Sequence, residues 1–151
     1  MRRSLLFLML FYLAVSLGCG ARESHWSEAA ALRQDGKWSE AAQVYTEVIN
    51  TSDNERSVVG AYLHRGDCYM QTDQLAEAYR DLLVGQTMSC WITDHQSGYV
   101  ETSVGFLAMS EACKTYAPKR LETLKKKMSA QQINQAAAEA KKLIPAKYLT
   151  Q

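Results

Sequence analysis

Proline is almost missing from this sequence, with two in 151 residues, and glycine stands at eight. Such scarcity excludes collagen-like and low-complexity chains and favours helices, whose interiors tolerate neither residue well. Four cysteines are too few for a disulfide-framework miniprotein. The formal net charge is +1, so no global excess points to nucleic acid as a partner. Catalytic motifs are missing as well: the chain has no P-loop, GxGxxG, HExxH, CxxC or GxSxG. Its carboxylates are scattered over faces that the helical period places outside, so neither an enzyme site nor a cofactor is expected. His64 and Cys68 stand four apart on one predicted helix face, yet two ligands do not make a site and no metal is expected. What the chain does have is 47% apolar and 22% charged residues, enough for the core of one domain.

The N-terminus reads as an address. Arg2 and Arg3 precede an apolar run from Leu5 to Leu17, interrupted only by Ser16. That matches the length of a secretory h-region and falls short of the ~20 residues of a membrane span. Ser16-Leu17-Gly18-Cys19 resembles the bacterial lipobox, in which a small residue precedes a cysteine that is lipidated and becomes N-terminal. Ser16 stands where that pattern carries Leu. The resemblance implies a signal peptide over residues 1–18, a lipid on Cys19 and a short tether over 19–23. Gly20 in place of Asp after the cysteine implies the outer membrane, facing the periplasm. Ordinary cleavage after Gly20 or Ala21 would instead give a soluble exported protein. Export puts Cys68, Cys90 and Cys113 in an oxidising compartment, with room for one bridge. Spacing does not choose the pair. Cys68, in a tight helical stretch, reads as a buried small residue, which leaves Cys90 with Cys113.

The mature chain echoes itself. Ala29, Leu32, Gly36, Trp38, Ala41 and Tyr45 recur 37 residues later as Gly66, Tyr69, Asp73, Leu75, Ala78 and Leu82. Small aligns with small, large with large, turn residue with turn residue, as in two copies of one helix-turn-helix unit. In the first copy Ser24 caps a helix to about Gln34, Asp35-Gly36-Lys37 turns, and Ser39 caps a second helix. Ala41, Ala42, Tyr45, Val48 and Ile49 give that helix its apolar face. Asn50 to Asn54 is a polar link. The second copy runs as a helix Val58 to Gln71, a turn Thr72-Asp73-Gln74 and a helix Leu75 to about Thr87. Ala29, Gly66, Ala41 and Ala78 let two helices approach closely; Trp38, Leu75, Tyr45 and Leu82 fill the space between hairpins.

These residues resemble the tetratricopeptide repeat, carried as Tyr62, Arg65-Gly66, Tyr69, Ala78 and Leu82, and more weakly as His25, Glu28-Ala29, Leu32, Ala41 and Tyr45. Glu28 and Arg65 replace the family's Leu, the closing Pro is absent, and the spacing is 37 against the family's ~34. The resemblance covers roughly residues 22–88, with the two repeats at 24–88, and implies an all-α fold, a short solenoid of about three helix pairs plus a C-terminal capping helix. It also implies a concave groove for a protein or peptide. By that resemblance the groove is lined by Trp26, Ala30, Arg33 and Gln34 from the first copy and by Leu63, Asp67, Met70 and Gln71 from the second. The family's Asn positions hold Ala30 and Asp67, so its carboxylate clamp is not expected.

Residues 89–145 read as a degenerate third hairpin and the capping helix, with 146–151 a tail. Asp94 to Tyr116 is expected as one helix, with Val100, Val104, Leu107, Met109, Ala112 and Tyr116 packing, and Gly98 and Gly105 weakening it. Pro118 opens the next helix, to Met128. Ser129 with Gln132 forms a capping box for a helix through Leu143, which Pro145 ends. Residues 19–113 carry six basic against fourteen acidic side chains; residues 114–151 carry nine against two. Together these readings imply an exported, lipid-anchored scaffold of the bacterial envelope that holds a protein partner, with the oligomeric state open. Two alternatives stand beside it: a structural subunit of an envelope assembly and a soluble periplasmic enzyme without a recognisable motif.

Overall fold

The computed structural model describes residues 25–95 and 104–149. Cys19, Ser24, Gly98, Val100 and the segment taken as a signal peptide lie outside the described residues. Within them every regular element is helical: α1 (residues 25–34), α2 (Trp38–Thr51), α3 (Glu55–Gln71), α4 (Leu75–His95), α5 (Val104–Glu111), a π turn (Ala112–Tyr116), α6 (Ala117–Lys125), α7 (Ala130–Leu143) and a 3-10 turn (Ala146–Tyr148). In the stack α3 lies between α2 and α4. Helix α4 is the hub, packing on α3 at one side and on the α5–π–α6 run and α7 at the other.

The 37-residue echo is written in the backbone. At the end of α1, Lys37 N donates to Leu32 O at 2.8 Å and Gly36 N to Arg33 O at 3.1 Å; at the end of α3, Gln74 N donates to Tyr69 O at 2.9 Å and Asp73 N to Met70 O at 3.4 Å. Both are Schellman turns, which need a left-handed residue after the helix. Gly36 supplies it with φ 72° and Asp73 with φ 59°. Burial repeats in the same register. Ala41 and Ala78 are both fully buried, Tyr45 matches Leu82 in the core, and Trp38 and Leu75 are both half-buried. Gly66 is a site of close approach: a Cβ there would lie 2.8 Å from Leu82 Cγ. Ala29, Ala41 and Tyr45 belong to one apolar cluster and Ala78 and Leu82 to the next, with Tyr69 packed against both.

Several boundaries differ from the sequence expectation. Ser39 is not a cap: α2 starts at Trp38, because the Schellman turn leads straight into it and Ala41 N already donates to Lys37 O at 3.0 Å. The link is Ser52 to Asn54 alone. Asn54 Oδ1 accepts from Arg56 N at 3.0 Å and Ser57 N at 3.2 Å, so α3 starts at Glu55, not Val58. Helix α4 runs eight residues past Thr87, beyond the 88 boundary set for the repeats. Asp94 therefore closes α4 and does not open a helix to Tyr116. Met109 and Ala112 are buried, whereas Leu107, expected to pack, is 56% exposed. Pro118 sits inside a continuous helical run, at the start of α6. The π turn one step earlier widens the spiral where proline removes a donor and crowds the preceding carbonyl. The capping box of Ser129 and Gln132 is formed, and α7 ends at Leu143 before Pro145.

Candidate functional site

Helices α1 and α3 and the α5–π–α6 run share one face of the stack. At its first end Trp26 packs edge-on against Tyr45 and His64, with ring centroids 5.5 and 5.8 Å away, and Tyr45 stacks on His64 at 5.5 Å. Gly60 leaves room for the indole: a Cβ there would be 3.1 Å from Trp26 Cη2. Arg33 Nη1 donates to His64 Nδ1 at 2.9 Å. A guanidinium can only donate, so this imidazole is neutral with its proton on Nε2. Burial, then the Arg33 charge, holds its pKa below the ordinary value.

Asp67 is the hub of the face. Its carboxylate accepts from the Tyr116 hydroxyl and from Arg120 Nε at 2.5 Å, and Arg33 Nη2 lies 3.7 Å away. One buried acid on α3 thus ties down α1, the π turn and α6. Arg120 also lies 3.6 Å over the Tyr116 ring. Burial, then the Asp67 charge, pushes the Tyr116 phenol well above its usual range. Arg33 Nε is buried without an acceptor among the described residues. The face therefore offers two half-exposed guanidinium groups, Arg33 and Arg120, around the Asp67 carboxylate.

Between α3 and α5 the same face opens into a cleft of about 310 Å³. Gly60, Leu63 and His64 form its wall on α3; Ala108, Met109, Glu111, Ala112 and Tyr116 form the other. The lining is mainly apolar, with His64, Glu111 and Tyr116 at its polar positions. Cys90 and Cys113 are joined as a disulfide with Cα atoms 4.9 Å apart, which fixes the π turn, and with it this second wall, to α4. A larger cleft of about 470 Å³, lined by His25, Trp26 and Ser27 with Val48, Thr51, Ser52, Asn54 and Ser57, lies at the start of α1.

The residues expected to line a groove divide. Ala30, Gln34 and Gln71 are exposed, and Trp26, Arg33 and Met70 are half-buried. Trp26 is wedged against α2 and α3 and does not stand as an open platform. Leu63 is 5% exposed; it fills the space left by Gly85, where a Cβ would lie 2.6 Å from Leu63 Cδ2, and meets the cleft only as its floor. Asp67 is likewise buried and already saturated by intramolecular donors, so neither is a free contact residue. Tyr116, Arg120 and Ala108 went unnoticed as contributors to this face. The family pattern has no landmark so far downstream, and charge alone marks Arg120. His64 and Cys68 hold no metal geometry: among the described residues no three His, Cys, Asp or Glu side chains converge. Cys68 is a buried free thiol whose pKa burial pushes up to about 11. No helix among the described residues is long and apolar enough to cross a membrane.

Searches against protein families, curated proteins and solved structures gave no match to this chain.

Proposed function

We propose that this chain is a tetratricopeptide-like scaffold of the bacterial envelope, exported and lipid-anchored at Cys19, which holds a segment of another protein without catalysis. The observation that carries the reading is the cleft between α3 and α5. A cleft with an apolar floor and half-exposed guanidinium groups at one end suits a side chain of an extended partner, with Arg33 and Arg120 placed for its backbone or carboxylates. The turns repeating bond for bond at a 37-residue offset support a stack of equivalent hairpins, and the sequence ending in Gly18-Cys19 supports the anchor. Anchoring raises the local concentration of the scaffold near membrane-bound partners.

Two measurements test it. Mass spectrometry of the native N-terminus should find Cys19 first and carrying acyl chains; an unmodified residue 21 or 22 as the first would overturn the anchor. Ala108→Glu places a charge in the cleft from an exposed position. It should abolish capture of the native partner with helicity unchanged, while Gln43→Glu on the exposed side of α2 should not. Equal capture by both variants would remove the cleft from the account.

A further inference from the structure

The imbalance of charge along the chain becomes an imbalance across the molecule. The basic stretch 114–149 forms the end of the π turn, α6, α7 and the 3-10 turn, packed against α4. Lys119, Lys125, Lys126, Lys127 and Lys141 are exposed and pair with no carboxylate among the described residues. On α7 the lone carboxylate, Glu139, is already held by Lys142 at 2.6 Å. Leu143 and Leu149, 41% and 45% exposed, sit in the sequence among Lys141, Lys142 and Lys147. Ammonium groups on long stems beside exposed leucines suit an anionic bilayer surface, where the cations meet phosphates and the leucines enter the interface.

The position of the chain's start agrees. His25 and Trp26 face Ser52, Asn54 and Ser57 around the first turn of α3, and Lys147 pairs with Glu55 in that same turn. The beginning of α1 and the C-terminal end of α7 therefore lie at one end of the molecule, with Lys125 to Lys127 a helix length away, where α7 starts beside the first turn of α4. Cys19 is six residues before His25, a reach of at most about 20 Å. We infer that the α6–α7 edge is a second membrane contact, selective for anionic headgroups. It lays the stack on the bilayer by the edge that ends in α7, the last helix packed on α4. This rests on the proposed anchor for its geometry but on the lysines for its lipid selectivity.

The test is lysine acetylation read by mass spectrometry on the full chain, with vesicles of phosphatidylcholine alone or mixed with phosphatidylglycerol. On mixed vesicles Lys125, Lys126, Lys127 and Lys141 should be protected several-fold, salt should reverse this, and Lys37 in the first turn should not change. The triple variant Lys125→Gln, Lys126→Gln, Lys127→Gln should bind mixed vesicles roughly a hundredfold more weakly. Attachment to both vesicle types without protection would overturn this contact and leave the anchor standing. Attachment to mixed vesicles alone, reversed by salt, would support the contact and count against the anchor. Protection without vesicles, growing with protein concentration, would assign the edge to a second copy and overturn the proposal. Attachment to neither vesicle would overturn both.

Discussion

Gly36 and Asp73 hold the same left-handed place in equivalent turns, and the two side chains bear that strain differently. A Cβ in that region costs about 1–2 kcal/mol, less for Asp, whose short polar side chain bonds locally. Gly36→Ala should therefore lower stability by about 1–2 kcal/mol, and Asp73→Gly should be neutral or stabilising by less than about 1 kcal/mol. Urea unfolding checks this, provided the slope with denaturant is unchanged; equal losses would contradict the equivalence of the turns. His64 carries a pH dependence. Its folded pKa is depressed, so the unfolded chain takes up a proton that the folded chain resists. Its contribution is fully present above pH 6.5, its ordinary value, and is lost as pH falls below it. His64→Gln, which keeps an acceptor for Arg33, should flatten that limb of the stability curve; an unchanged slope would place the titration elsewhere. The turn residues were legible because each acts within its own hairpin. Asp67 was not, since its partners Tyr116 and Arg120 lie 49 and 53 residues away.

At the scale of helices, the structure satisfies polar residues internally. The sequence reading ends the fourth helix at about Thr87, short of Ser89 and Thr93. The three hydroxyls donate back to the carbonyls of Leu83, Gln86 and Ser89, and α4 continues to His95 with Ser89 and Thr93 buried. Arg65 is a second case. It stands where the tetratricopeptide pattern carries Leu, and the helix accommodates it by pairing Arg65 Nε with the fully buried Asp81 at 2.5 Å and Nη1 with Thr46 Oγ1 at 2.9 Å. Arg80 Nε also donates to Asp81, at 2.9 Å, so the carboxylate binds α3 and α4 together. Removing one partner of such a pair strands a buried charge. Asp81→Leu should cost about 3–5 kcal/mol, whereas the double change with Arg65→Met should recover most of it. Double-mutant analysis of unfolding free energies decides this, and additive losses would show that the pair does not act as a unit.

For the molecule as a whole, the helical class and the paired hairpins were legible because periodicity and small-residue spacing are properties of the chain itself. The shape of the third unit was not. The π turn that accommodates Pro118 and the closure of the cleft both depend on contacts with α3 and α4. On the proposed function, the face shared by α1, α3 and the α5–π–α6 run holds another protein. Benzoylphenylalanine in place of Ala108, or in place of Gln43, followed by irradiation in living cells, tests it most directly. A discrete protein adduct should form from position 108 and not from position 43 when the chain carries an intact cleft. The same adducts from both positions, or none from 108, would contradict it.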